Sequence, residues 1–267
     1  MNRIDRIFAD LRANRRKALM PFITAGDGGL SATTEVVPAL ERGGASICEI
    51  GIPFSDPIAD GPVIQASMTR ALDAGVKVGQ VFETIADLRP KTALGLVAMV
   101  SYSIVYRMGL DAFVRDAKQA GFDGFIFPDL PIEEADAAKA AVSEQGLILS
   151  MLIAPTTPID RARQIAAAST GFVYVVSSKG ITGERSALPP ELPARLAELR
   201  QATDAPMAVG FGISGPEQVH DVVAVADAAI VGSAMVRRLH ETQDDPGQTA
   251  ESFTRELATG LHSPAEA

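Results

Sequence analysis

Short apolar runs alternate with amphipathic segments along nearly the whole chain. Most of the runs are continuously apolar, as expected for strands of a parallel sheet that is covered on both faces. Eight such strands are predicted: Ala18–Ile23, Ser46–Ile50, Ala93–Val100, Gly124–Phe127, Leu147–Ile153, Phe172–Val176, Pro206–Val209 and Ala228–Val231.

The segments between the runs have helical periodicity. The predicted helices are Ala32–Arg42, Val63–Ala74, Val78–Leu88, Leu110–Ala120, Ile132–Glu144, Pro158–Ala168, Glu191–Gln201 and Pro216–Val225. Glycines just past four helix ends predict left-handed caps, at Gly43, Gly75, Gly121 and Gly146. The spacing of Ser214, Pro216 and Glu217 is typical of a helix start with a capping box.

Eight successive strand–helix units predict a closed (β/α)8 TIM barrel. The alternative, an open doubly wound sheet, usually has a G-x-G-x-x-G motif after its first strand, and residues 24–29 do not match it. We predict one TIM-barrel domain over residues 1–267, with a core at about 15–240. An extra N-terminal helix, short extra helices after strands 2 and 8 and a C-terminal helix at about 247–262 complete it.

Composition narrows the function classes. The length of 267 residues suits one barrel, although two domains of about 130 residues would also fit it. A net charge of −9 argues against a nucleic-acid partner. The single cysteine precludes an internal disulfide and agrees with a reducing compartment. With no secretory leader pattern and no apolar run of about 18 residues, the expectation is a cytoplasmic protein without a membrane partner.

Two carboxylates stand out in the second strand and the loop after it. Glu49 lies inside an apolar strand, where an ionisable group is costly unless something uses or pairs it. Asp60 follows eleven residues later, before Gly61. Two acids in different surroundings at a barrel mouth can divide acid and base work. The plainer alternatives are that Glu49 pairs with a base and that Asp60 shapes a turn.

Glycines after strands 7 and 8 indicate a phosphate site. Gly212 and Gly232 allow backbone N–H groups to approach an anion, and Ser233 begins a short helix, Ala234 to Leu239, whose positive end would face it. The alternative is that both glycines only permit tight turns.

The sequence gives less support to other catalytic mechanisms. The lysines lie before strands, in or beside helices, or, for Lys179, in a loop, so a Schiff-base lysine is not indicated. The three histidines lie in helical stretches and predict no metal site. Cys48 points opposite to Glu49 and is interpreted as packing. Acid–base catalysis by carboxylates is the mechanism that remains after these are set aside. Five aromatics near the mouth suggest a flat apolar substrate: Phe22, Tyr102, Phe127, Tyr174 and Phe211.

The segment Cys48–Gly61, followed by Pro62-Val63-Ile64-Gln65, resembles the signature of the tryptophan synthase alpha chain family. Further blocks are similar in the same order: Pro21–Asp27, Pro128–Pro131, Gly180–Gly183 and Gly210–Ser214. The resemblance covers about residues 15–240. It implies a (β/α)8 barrel that cleaves indole-3-glycerol phosphate to indole and D-glyceraldehyde 3-phosphate.

The resemblance also implies residue roles. Glu49 would protonate indole C3 and accept the glycerol hydroxyl proton, while Asp60 would hold the indole N–H. The five aromatics would line the indole pocket. Phosphate would bind Gly183, Gly212, Gly232 and Ser233, and Thr182 would order Asp60 when its loop closes as a lid.

The same resemblance implies a partner. The Pro53–Pro57 segment would face a tryptophan synthase beta chain in an alpha2beta2 heterotetramer. This chain would carry no cofactor, and pyridoxal phosphate would belong to the beta chain. The sequence departs from the family pattern in three places: Ser101-Tyr102-Ser103-Ile104, Ser178-Lys179, and Gly28 after Asp27, where the family often has proline.

Two other functions remain as alternatives. An isomerase on a phosphate-binding barrel would need acid–base residues on strands 1 and 7 or 8, where the sequence has apolar residues and glycines. A non-catalytic subunit could bind a phosphorylated ligand and only regulate its partner.

Overall fold

The predicted barrel is confirmed. The computed structural model describes residues 1–57, 60–177, 189–210, 212–242 and 244–261. Within them nine strands form one parallel sheet: β1 Ala18–Thr24, β2 Ile47–Gly51, β3 Gly95–Met99, β4 Gly124–Ile126, β5 Ile148–Ser150, β6 Leu152–Ile153, β7 Val173–Val176, β8 Met207–Gly210 and β9 Ala228–Val231.

The barrel closes within one predicted strand. The segment Leu147–Ile153 is divided at Met151 into β5 and β6. β5 pairs with β4, whereas β6 pairs with β7, so the two pieces stand at the two ends of the strand order. Because Met151 joins them covalently, the sheet returns to itself and leaves no long open edge.

Helices surround the sheet and cover its N-terminal end. They are α1 Arg3–Ala13, α2 Leu30–Arg42, α3 Pro62–Asp73, α4 Val78–Leu88, α5 Tyr102–Met108, α6 Leu110–Ala120, α7 Asp136–Glu144, α8 Ile159–Ala168, α9 Leu192–Arg200, α10 Pro216–Val225, α11 Ser233–Glu241 and α12 Pro246–Ala258. Short 3₁₀ turns span Arg89–Lys91, Ile132–Glu134 and Thr259–Leu261. The extra helices predicted at the N-terminus and after the second and eighth strands correspond to α1, α3 and α11.

Helix α5 is not among the predicted helices. The sequence pattern predicts a loop at its first residues, but Ser101 caps a helix there by accepting a hydrogen bond from the Ser103 amide. The Asp129 carboxylate accepts further hydrogen bonds, from the Ser101 hydroxyl at 2.6 Å and from the Tyr102 amide at 2.7 Å. A seven-residue helix held by a distant carboxylate leaves little periodic signal in the sequence.

Two apolar layers follow from strand alternation. Met20 and Phe22 of β1 point into the barrel, whereas Leu19 and Ile23 point toward the helices. Helix α1 packs its buried residue Ile4 against the inner layer at the N-terminal end. The open mouth is therefore the opposite, C-terminal end.

One glycine prediction is wrong. Gly75, Gly121 and Gly146 have positive φ as expected, but Gly43 has φ −74° and is helical. The left-handed residue there is Gly44, with φ +102°. Position 43 requires glycine for a steric reason instead, because a Cβ atom there would lie 2.5 Å from Thr254 Cβ of α12.

No helix in the described part of the chain has the length and apolar character needed to cross a bilayer.

Candidate active site

Glu49 is a buried carboxyl group in the barrel wall. It lies on β2 opposite Phe22 of β1 and Val97 of β3, and its exposed fraction is 0%. Neither carboxyl oxygen has a hydrogen-bond partner among the described residues. A buried carboxyl group left without partners is costly, so this arrangement points to a ligand rather than to stability.

The electrostatics of Glu49 favour its neutral form. Burial raises the pKa of the carboxyl group well above its ordinary value of 4.5, and the charge of Asp60 raises it further. The group therefore still carries a proton at a pH where an exposed glutamate would be ionised. That is the state required of a general acid.

Asp60 is the second carboxylate of the pair. It directly precedes Gly61, the N-cap of α3, and is half-buried at the mouth. Burial raises its pKa from 3.8 to about 6. At neutral pH Asp60 is therefore mostly ionised, whereas the raised pKa of Glu49 favours its protonated form, so the surroundings of the two acids differ as predicted.

Tyr174 completes the polar cluster. Burial raises the pKa of its phenol well above 10.0, and the charges of Glu49 and Asp60 raise it further. The charges of both carboxylates therefore reach the same hydroxyl group. Gly210 provides room for the ring, because a Cβ atom there would lie 3.2 Å from the Tyr174 hydroxyl.

Phe22 lies beside Glu49 in the interior. A Cβ atom at Gly51 would lie 2.5 Å from Phe22 Cζ and 2.9 Å from Met68 Cε, so the absent side chain at Gly51 lets the ring lie over β2. Phe22 and Met68 give the pocket an apolar wall next to the carboxyl group.

Phe127 does not face this interior, contrary to the sequence prediction. Its ring stacks on Phe125 at 5.3 Å and lies 5.5 Å from the Tyr102 ring, in the layer between strands and helices. Ile126, one residue earlier, faces the barrel in its place. Tyr102 begins α5 at the rim of the mouth.

A cavity of about 260 Å³ opens at the mouth. Its wall includes Asp60, Met68, Met99, Ser101 and Asp129. A second cavity of about 270 Å³ lies between the β1–α2 loop and α11, and neither Glu49 nor Asp60 lines it. The first cavity is therefore the one next to Asp60, while the fully buried Glu49 lines neither of the two.

The glycines predicted to bind phosphate follow neighbouring strands. Gly210 of β8 pairs in register with Ile230 of β9, so Gly212 and Gly232 leave the sheet at the same edge. Gly212 has φ +77°, which a residue with a side chain rarely adopts. Ser233 is the buried first residue of α11, whose N-terminus attracts an anion.

Three predicted residues, Thr182, Gly183 and Phe211, lie outside the described residues. The described residues contain no group of three or more His, Cys, Asp or Glu side chains able to hold a metal ion. Cys48 is buried on the helix side, as predicted, and burial raises the pKa of its thiol.

Comparisons with known proteins agree with this geometry. The family model described as tryptophan synthase alpha chain matches residues 8–263. The tryptophan synthase alpha chain of Rhodopirellula baltica is 46% identical and is aligned over 100% of both chains. That of Synechocystis sp. is also 46% identical, over 98% of this chain and 100% of the relative.

Solved structures give the same result. Tryptophan synthase subunit alpha from Legionella pneumophila superimposes with a TM-score of 0.89 at 35% identity, over 98% of each chain. A tryptophan synthase structure from Mycobacterium tuberculosis gives 0.90 at 34% identity, over 98% of this chain and 99% of that chain. The fold, the full-length identity and the family match lead to one conclusion: this chain belongs to the tryptophan synthase alpha chain family.

Proposed function

We propose that this chain cleaves indole-3-glycerol phosphate into indole and D-glyceraldehyde 3-phosphate, the alpha reaction of tryptophan synthase. The reaction breaks the bond between indole C3 and the hydroxyl-bearing carbon of the glycerol chain. The observation that carries the proposal is Glu49, a fully buried carboxyl group with two unpartnered oxygens among the described residues.

Glu49 serves first as acid and then as base. Its raised pKa keeps a proton on the carboxyl group, and that proton passes to indole C3. The ring becomes a cationic indolenine that can accept an electron pair. Glu49, now ionised, accepts the proton of the glycerol hydroxyl group as the carbon–carbon bond breaks. The bonding pair returns to the ring, an aldehyde forms, and Glu49 recovers its proton.

Asp60 supplies the negative charge that the intermediate needs. Its carboxylate accepts a hydrogen bond from the indole N–H and stabilises the positive charge that develops on that nitrogen. A pKa of about 6 leaves Asp60 ionised at neutral pH. Glu49 then moves the proton while Asp60 holds the negative charge, which is the division of work that the reaction needs.

The remaining predicted residues bind the substrate. Phe22 and Tyr174 supply apolar and aromatic surface beside Glu49, with Tyr102 at the rim. Gly212, Gly232 and Ser233 bind the phosphate through backbone N–H groups and the N-terminus of α11. Gly183 and Thr182, on the loop after β7, are proposed to join the phosphate site and the lid.

The test is indole release by the purified full chain, measured against pH. We expect indole and aldehyde in equal amounts above the uncatalysed background. Activity should fall as the pH drops through about 6, because protonated Asp60 carries no charge for the indole nitrogen. It should also fall at high pH, where Glu49 has lost its proton. No indole above background with intact substrate would disprove the proposal, and a rate without an acid limb would remove the ionised Asp60 from it.

Family membership implies a beta-chain partner, and we propose that it docks beside the mouth. Large apolar side chains are exposed on α5, where Tyr106 is 79% exposed and Met108 is 45% exposed. The Pro53–Pro57 segment borders the same cavity as Ser101, just before α5. A beta chain bound there would receive indole as it leaves the cavity. We propose that the two chains form an alpha2beta2 assembly.

Replacing Tyr106 by Ala should weaken the affinity for the beta chain by about tenfold or more, because aromatic anchors contribute most to such interfaces. Calorimetric titration of the two full chains would measure this change. Indole release by the isolated chain should stay the same, since Tyr106 is exposed outside the cavity. Tyr106→Phe, which keeps the ring, should retain most of the affinity. Equal affinity for wild type and Tyr106→Ala would place the interface elsewhere.

A further inference from the structure

Pro57 and Asp60, which flank positions 58–59 and form the described part of the segment before α3, lie outside helices and strands. The Asp60 amide donates to the Pro57 carbonyl at 3.0 Å. Among the described residues, no hydrogen bond holds the Asp60 carboxylate itself. A side chain that must meet a substrate N–H needs its backbone fixed by something outside the segment.

The next element, α3, is firmly attached to the barrel. The Ser67 hydroxyl lies 2.6 Å from that of Thr24 on β1, and both groups are buried. Arg70 donates two hydrogen bonds of 2.7 Å to the carboxylate of Asp27. Met68 packs into the barrel interior. Helix α3 therefore provides a rigid support immediately after Asp60.

Gln65 connects this support to the segment. Its side-chain amide nitrogen donates to the Asp60 carbonyl at 2.9 Å and to the Pro57 carbonyl at 3.2 Å. Both partners are acceptors, so only the N–H₂ end of the side chain can serve. The two bonds hold the residues on both sides of positions 58–59 at a fixed distance from α3.

These bonds do not cap the helix. A cap accepts hydrogen bonds from the free N–H groups of the first turn, but Gln65 donates to carbonyl groups that precede the helix. Gly61, the N-cap, has no side chain to accept such a bond. The Gln65 contacts therefore order the segment before α3 and leave the end of the helix as it was.

We propose that Gln65 is a positioning residue for Asp60, holding the backbone of that residue so that its carboxylate meets the substrate N–H. The inference rests on the proposed function for its catalytic consequence. Its structural part, the ordering of the segment, stands independently of the reaction.

Three variants of the full chain test this role. Gln65→Met keeps the size of the side chain but has no donor. Gln65→Glu keeps the shape, but its ionised carboxylate repels both carbonyl oxygens. Thr69→Val, one turn along α3, removes an exposed hydroxyl whose hydrogen bond among the described residues is to the Gln65 carbonyl at 3.0 Å. It is the matched control, because it alters the helix without touching the segment.

In both Gln65 variants we expect kcat to fall about tenfold, which corresponds to about 1.4 kcal/mol, with KM within about twofold. The acid limb of the pH profile should move to lower pH, because water that reaches the loosened Asp60 carboxyl group lowers its pKa. The Asp60 amide should exchange its hydrogen about tenfold faster than in wild type. Thr69→Val should match wild type in all three measurements.

Unchanged exchange of the Asp60 amide in Gln65→Met would overturn the inference. So would a loss of kcat that Thr69→Val shares, since that would reflect damage to α3. The proposed function fails separately, if wild type releases no indole. Faster exchange of the Asp60 amide would then still support the ordering role, so the two failures are distinguishable.

Discussion

Glu49→Gln is expected to lower the rate of indole release at least about a thousandfold, because the amide can neither give a proton to indole C3 nor accept one from the hydroxyl group. The variant keeps the size and shape of the side chain. Binding of the substrate should therefore persist while turnover stops. Single-turnover measurement of indole, together with titration of glycerol 3-phosphate binding, checks both parts.

The same variant should not lose stability. In wild type the pKa of Glu49 is raised in the folded state, so between its ordinary value of 4.5 and the folded value the native protein binds more protons than the unfolded chain. The free energy of unfolding of wild type therefore decreases as pH rises through that window. The amide side chain of the variant does not titrate, and urea unfolding at several pH values should show a flatter dependence for the variant. Substantial indole turnover by a folded Glu49→Gln protein would remove Glu49 from the mechanism.

Asp60→Asn is expected to lower kcat about a hundredfold, the effect of removing one preorganised charge from the transition state. Asparagine can still accept a hydrogen bond from the indole N–H, so KM should change less than kcat. The acid limb near pH 6 should disappear from the residual activity, because the group with the pKa of about 6 is gone. Steady-state assays across pH measure all three quantities.

Asp73→Asn is the matched control for this change. Asp73 is exposed at the C-terminal end of α3. Its replacement by Asn removes the same charge at a position outside the cavity. Its kinetics should equal those of wild type. A comparable loss in both variants would mean that net charge near α3, and not Asp60 itself, controls the rate.

The burial of Glu49 in the barrel wall was predictable because this residue breaks a rule. A charged residue within a continuous apolar strand is conspicuous, and alternation places Glu49 and Cys48 on opposite faces once one of them is assigned. The fold was predictable for a related reason, since repeated strand–helix units restrict the topology to few choices.

Phe127 shows where such reasoning stops. A strand that is apolar on both faces does not reveal which of its residues face the barrel, so Ile126 and Phe127 are equivalent in sequence. Helix α5 depends on a hydrogen bond from the Tyr102 amide to the Asp129 side chain, and the Gln65 side chain donates to the Pro57 carbonyl. Neither contact has a periodicity that a sequence pattern could reveal. The strand break at Met151 depends on barrel closure, which is a property of the whole sheet.

The pairing of β1 with β9 has a consequence for synthesis of the protein. On one side of β1, residues 18–21 pair with residues 228–231 of β9. While the chain is still on the ribosome, the first strand therefore has one side without hydrogen-bond partners until almost all of the polypeptide has emerged. A nascent edge of this kind invites pairing with other chains. Slow translation between residues 21 and 228 should thus increase the demand for chaperones more than slow translation after residue 231.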